Sequence, residues 1–177
     1  MDECFLKVFL KDYPLENHLI CDSLSTWKNM QNVDAQKPPE QVYHLHIIPE
    51  GTTGCIQPYD VLFFHQWKTF VKKIFDHFVM ENLPTPLFQR DNILVLQWLV
   101  YDQFSCRRYC PFIWQTWVKA GYINSNEELE NPTNVCFRDL SICWYDECNN
   151  SAVIRCSWCV SEFFFHHFFE IFHIHSF

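Results

Sequence analysis

The densest potential chemistry in the chain is a run of cysteines and histidines, Cys143-x4-Cys148-x7-Cys156-x2-Cys159, followed by His166, His167, His173 and His175. A C-x2-C pair presents two thiolates from one tight knuckle, as tetrahedral zinc requires, and imidazoles can complete the coordination. The competing reading is a set of buried free cysteines beside an aromatic helix whose apolar stripe is Phe165, Phe168, Phe169 and Phe172. Two aspartates supply a second, harder chemistry. Asp22 follows the apolar run Leu19-Ile20-Cys21, and Asp60 ends a loop containing Gly51 and Gly54, two of the three glycines in 177 residues. Carboxylates are the ligands of hard divalent cations such as Mg²⁺. Taken singly, each aspartate reads equally as a turn residue or helix cap. Lys68, Lys72 and Lys73, with Arg107 and Arg108, are candidate phosphate contacts, or simply solvated helix faces.

Bulk properties bound these readings. A chain of 177 residues with 49% apolar and 18% aromatic content can bury a sizeable core and is not disordered. The formal net charge of -8 excludes DNA binding by bulk electrostatics, so any nucleic-acid surface must be local. Ten cysteines fall below disulfide-scaffold density, and Met1-Asp2-Glu3 opens no secretory leader pattern, which favours a reducing, intracellular setting and metal over disulfides. No apolar run reaches about 18 residues, so no membrane-spanning helix is expected.

The elements that must position these groups follow from periodicity. Cys4, Phe5, Val8 and Phe9 predict a short helix ending before Pro14. Leu19 to Cys21 reads as a buried strand delivering Asp22 at its carboxyl end, the edge where open α/β sheets bind ligands. A helix over Ser23 to Asn32 and a loop over Asp34 to Glu40 follow. Val42 to Ile48 predicts a second strand, in which His44 and His46 read as ordinary solvated positions. Phe64, Trp67, Val71, Ile74, Phe75 and Phe78 recur at helical spacing and predict a helix from about Val61 to Asn82, with Asp60 at its cap. Further helices are expected over Arg90 to Arg108 and Pro111 to Ala120, the latter stopped by Gly121. Residues 122–142 read as an acidic loop.

The pattern Pro49-x-Gly51-Thr52-Thr53-x3-Gln57-Pro58-x-Asp60-Val61, ahead of that aromatic and basic helix, resembles the third acidic motif of DDE superfamily endonucleases, the pogo-like and mariner-like transposases. His18 to Asn29 resembles the second acidic motif, an apolar strand ending in aspartate. The resemblance implies an α/β fold: a partial ribonuclease H-like domain, its C-terminal half, followed by helices and a small zinc-binding module. It implies Asp22 and Asp60 as the second and third catalytic carboxylates around Mg²⁺ or Mn²⁺, DNA as partner and the nucleus as location. The two lie 38 positions apart, enough for a strand end, a crossover and a helix start to converge. In the family a first aspartate sits on an early strand well upstream of the second. Only 21 residues precede Asp22 here, and neither Asp2 nor Asp12 lies on an apolar strand pattern, so a catalytically incomplete site is expected.

The C-terminal pattern resembles a B-box-like or cross-braced zinc module. Such a pattern places another cysteine between Cys159 and His167, where this chain has Phe163, Phe164 and Phe165. One of two sites is then expected to be lost, and the surviving zinc is assigned to Cys156, Cys159, His173 and either His167 or His175, with Cys143 and Cys148 the weaker candidates. The expected organisation is a partial DDE endonuclease region at 1–83, a helical extension and acidic linker at 84–135, and a Cys/His-rich module at 136–177. The alternative function is a non-catalytic zinc-containing interaction protein that binds a protein partner through its C-terminal module.

Overall fold

The structure, a computed structural model, describes residues 15–23, 39–81, 87–126, 130–171, 173 and 175. The helices expected over residues 4–11 and 24–32, the loop at 34–38 and the prolines at 84 and 86 lie outside the described residues. The chain divides into two compact units, Met1–Val61 and Leu62–Phe177.

In the first unit, β1 (Glu16–Cys21) pairs in parallel with β2 (Val42–Ile47), in a register that sets His18 opposite His44 and Leu19 opposite Leu45. Backbone bonds from Val42 to Leu15 and from Ile48 to Cys21, each 2.7 Å, extend the ladder beyond both ends. The chain then turns at Gly51, whose φ of +79° lies in the left-handed region that glycine enters without steric cost. The Thr52 hydroxyl donates to the Pro49 carbonyl at 2.8 Å and fixes the turn. A four-residue helix, α1 (Thr53–Ile56), follows, and then a π-helical turn over Tyr59–Phe63.

The second unit is helical and aromatic. Helix α2 (Phe64–Met80) buries Phe70, Ile74 and Phe78 at four-residue spacing; Ile74 and Phe78 belong to the expected stripe, Phe70 lies outside it, and Phe64 is exposed. Helix α3 (Arg90–Phe104) stops four residues short of expectation. The Ser105 hydroxyl bonds back to the Tyr101 carbonyl at 2.8 Å, and Arg107–Tyr109 form a 3₁₀ turn instead. Helix α4 (Cys110–Lys119) ends as expected: Gly121, at φ +83°, donates to Val118 while Tyr122 donates to Trp117, the paired bonds of a Schellman stop. The segment read as an acidic loop holds one more helix, α5 (Pro132–Phe137). Pro132 opens it, and the Asn131 side chain caps it by accepting from Thr133 at 2.8 Å and Asn134 at 3.4 Å. Helix α2 packs on α3 and α5, and α5 packs on a two-residue strand, β3 (Ile154–Arg155), paired antiparallel with β4 (Glu162–Phe163). Phe70 meets Phe104 and Phe137 edge-on, at 5.4 and 4.7 Å between ring centres.

A buried polar ring ties these helices to the β3–β4 hairpin. Ser157, at the hairpin tip, donates its backbone N–H to the Gln103 side-chain oxygen at 2.6 Å and its hydroxyl to Tyr109 at 3.2 Å. Its carbonyl accepts from the Cys106 thiol at 3.2 Å, and its hydroxyl lies 3.3 Å from the Cys136 sulfur. Next to it, the Trp158 indole donates to the Asp102 carbonyl at 3.0 Å. Gln103 is fully buried and Ser157 nearly so, so each partner lost leaves a dry, unpaired polar group. Replacing Gln103 by leucine is expected to lower unfolding stability by about 1–3 kcal/mol, the cost of stranding the Ser157 N–H. A urea midpoint equal to that of the wild type would contradict this.

Candidate metal centre

Cys156 leaves the end of β3, and Cys159 lies three residues on in the hairpin turn. The turn is closed by Cys156 N–H donating to Ser161 at 2.9 Å and Val160 N–H donating to Cys156 at 3.0 Å. The backbone N–H groups of Trp158 and Cys159 are also directed at the Cys156 sulfur. Burial pushes the Cys156 thiol up to about 12, against the pull of those two donors.

The chain returns after β4 through a π-helical turn, His166–Glu170, and brings His173 and His175 to the same place. Cys156, Cys159, His173 and His175 present ligand atoms all within 4.8 Å of one another. Cys156 Sγ lies 3.3 Å from His175 Nε2, Cys159 Sγ lies 3.3 Å from His173 Nε2, and the two imidazole nitrogens are 3.0 Å apart. Zinc bonds of about 2.0–2.3 Å at tetrahedral angles place neighbouring ligand atoms roughly 3.3–3.8 Å apart. Three of these separations come close to that spacing and the rest lie within 4.8 Å, and two sulfurs with two nitrogens are a donor set that suits zinc. Desolvation lowers the His173 imidazole below its ordinary range, with the neighbouring His175 acting in the same direction, which favours the neutral, ligating form.

A second group gathers Cys143, Cys148 and His167. Cys143 donates its N–H to Asn150 at 2.9 Å, and Cys148 donates to Tyr145 at 3.1 Å, so the intervening loop folds both cysteines inward. His167 offers Nδ1 at 3.2 Å from Cys143 Sγ, and its ring stacks on Tyr145 with centres 4.3 Å apart. Of the two histidines left open in the sequence, His175 lies beside Cys156, while His167 lies beside Cys143 and Cys148. His166 belongs to neither group, and Phe164 stands beside His167 with ring centres 6.4 Å apart. The aromatic stripe coexists with these ligands, since Phe165, Phe168 and Phe169 are buried; Phe172 lies outside the described residues.

Several supporting residues carried no sequence signal. Phe163 packs on the His173 ring at 4.0 Å, and Trp158 stacks with His175 at 6.2 Å. Asp102, fully buried, leaves Oδ1 without a hydrogen-bond partner; burial raises its carboxyl while His175 opposes the shift. Arg155 and Glu162 lock the hairpin stem at 2.6 Å, and Arg155 also donates to the Val135 and Asp139 carbonyls.

The two aspartates are placed differently. Asp22 follows β1 directly, and Asp60 lies in the first turn of the π-helical segment; α2 begins at an N-cap, Phe63, with no side-chain cap bond. Among the described residues, neither belongs to a group of three or more potential ligand side chains. Lys68, Lys72 and Lys73 are exposed on α2, where Lys72 pairs with Asp76 at 3.5 Å and Lys73 lies over the Phe137 ring at 5.7 Å.

Residues 117–175 match the Tc5 transposase C-terminal domain. The match supports a transposase-derived protein. It covers about a third of the chain and contains all seven cysteines and histidines of the two groups just described. Comparison with curated proteins and with solved structures returns no match. No helix among the described residues is long and apolar enough to cross a membrane.

Burial tends to raise the Glu162 carboxyl, but hydrogen bonds from Arg155 and Ser141 outweigh it and hold the group below its ordinary range. Its contribution to stability is therefore complete above the unfolded value of about 4.3 and is lost as pH falls through the lower folded value. Substituting glutamine is expected to cost about 1–3 kcal/mol at neutral pH and to flatten that acid limb. Parallel stability-against-pH curves for the two proteins would refute the assignment.

Proposed function

We propose that this chain is a transposase-derived, nucleic-acid-binding protein of the nucleus whose C-terminal hairpin binds zinc and whose carboxylate pair does not cleave DNA by itself. The observation that carries the reading is a coincidence within one span: the stretch that resembles a transposase C-terminal domain also gathers the ligand atoms of Cys156, Cys159, His173 and His175 within 4.8 Å of one another. Bound there, zinc would supply a structural cross-link between the hairpin tip and the end of the chain.

The residues of the chain do the rest. Trp158 and Phe163 hold the imidazoles by ring contact, and the Ser157 ring fixes the tip against α3. Cys143, Cys148 and His167 provide a second place for the same ion, short of one protein ligand. The resemblance upstream makes Asp22 and Asp60 the remnant of a DDE site that once held Mg²⁺ or Mn²⁺, and it supports the ribonuclease H-like reading of the β1–β2 pair. DNA contact falls to local basic groups, with Lys68, Lys72 and Lys73 the candidates, because the net charge of -8 provides no general attraction.

A second reading, a non-catalytic interaction protein, is favoured by the apolar exposure beside the second ligand group. Ile142 is 62% exposed, Trp144 69% and Tyr145 45%, a surface suited to a protein partner.

Zinc analysis of the purified chain is expected to return at least one ion per molecule, lost on joint Cys156→Ser and Cys159→Ser substitution; metal-free wild type would end the zinc reading. Fluorescence anisotropy with duplex DNA is expected to give binding that weakens steeply with added salt. Absence of binding at low salt would leave the interaction-protein reading. Incubation with supercoiled plasmid and Mn²⁺ is expected to leave it intact, and nicking abolished by Asp60→Ala would overturn the inactive assignment.

A further inference from the structure

The β1–β2 pair carries its own cluster of metal-ligating groups, remote in sequence from the cysteines. Side chains two apart on a strand share a face, so Glu16 and His18 project together from β1, and His44 and His46 project together from β2. The parallel register aligns His18 with His44 and so merges the two rows into one exposed patch. The His18 ring stacks on His44 with centres 4.8 Å apart and on His46 at 5.2 Å. Glu16 Oε1 lies 3.1 Å from His44 Nε2, and His18 Nδ1 lies 2.9 Å from His46 Nε2. Glu16, His18 and His44 present ligand atoms all within 4.8 Å of one another, and all three are open to solvent.

We propose that Glu16, His18 and His44 form a binding site for a divalent first-row transition cation, with His46 hydrogen-bonded behind His18 to hold its ring. Two imidazoles and a carboxylate are the donor set of borderline cations such as Zn²⁺, Ni²⁺ or Cu²⁺, not of the hard ions that an aspartate pair selects. An outer hydrogen-bond partner fixes the tautomer and orientation of a ligating histidine, and here the His46 imidazole takes that place, 2.9 Å from His18 Nδ1. Three protein ligands on an exposed face leave the remaining positions to water. The site lacks thiolate, so its metal is distinguishable from any ion on the cysteines, and it does not depend on the zinc reading above.

The test uses the full chain, loaded with zinc and then dialysed until zinc held by exposed imidazoles and carboxylates is removed and only thiolate-held ion remains, then titrated calorimetrically with Ni²⁺ alone. One further equivalent is expected in the wild type, weakened by roughly tenfold or more in the Glu16→Gln, His44→Gln double variant. No further uptake, or uptake unchanged in the variant, would overturn the proposal. A second measurement on the wild type is independent of how the variant folds. With labelled histidines, paramagnetic Ni²⁺ is expected to broaden the His18, His44 and His46 resonances first among the nine histidines. Broadening confined to the C-terminal histidines would equally overturn the site.

Discussion

The arrangement of the C-terminal unit depends on the hydrogen bonds that converge on Ser157. A serine inside a C-x2-C knuckle would ordinarily face water, yet here its N–H, carbonyl and hydroxyl all find buried partners, supplied by α3, the 3₁₀ turn and α5. Such a ring is stable only when complete, because each missing member strands a polar atom in a dry interior. The knuckle is therefore part of the helical core rather than a module appended to it. This explains why α5, with Cys136 at its buried face, packs directly on β3.

That docking sets how the two ligand groups share the hairpin. In chain order the first cysteine pair serves one group and the second pair the other; His167 then returns to the first and the last two histidines to the second. The groups are thus interleaved, and the β3–β4 stem runs between them. The Arg155 and Glu162 pair at the stem carries weight for this reason: it fixes the segment from which both groups are spaced. The carboxylates contrast with this. Asp22 and Asp60 are each delivered by a short element, and neither falls in a group of three or more potential ligands among the described residues.

Strong periodicity made the helices legible. Ile74 and Phe78 sit where their spacing put them, and Gly121 ends α4 through its positive φ. The grouping of Cys156 with Cys159 was legible because C-x2-C is a local geometric device, while which of His167 and His175 lies beside them needed the path of the chain. Helix α5 was hidden by its polar, proline-led start, although Asn131-Pro132 is itself a cap and first-turn signal. His44 and His46 looked scattered because their partners Glu16 and His18 lie 28 residues away, and only the strand register brings them together. The Ser157 ring could not be read at all, since a serine, a glutamine and a tyrosine about fifty residues apart carry no pattern until the core is assembled.

Val160 has one more consequence. Immediately after Cys159 its backbone stands at φ +65°, a conformation that a β-branched residue enters only against a steric cost of about 1–2 kcal/mol. Its side chain is half exposed and gains little from packing, so nothing local rewards the geometry. The turn is held there from outside, by the bonds on either side of it and by the core beneath its tip. A short peptide cut from this hairpin would relax away from it, and the knuckle is a shape the whole unit imposes on six residues that would not choose it alone.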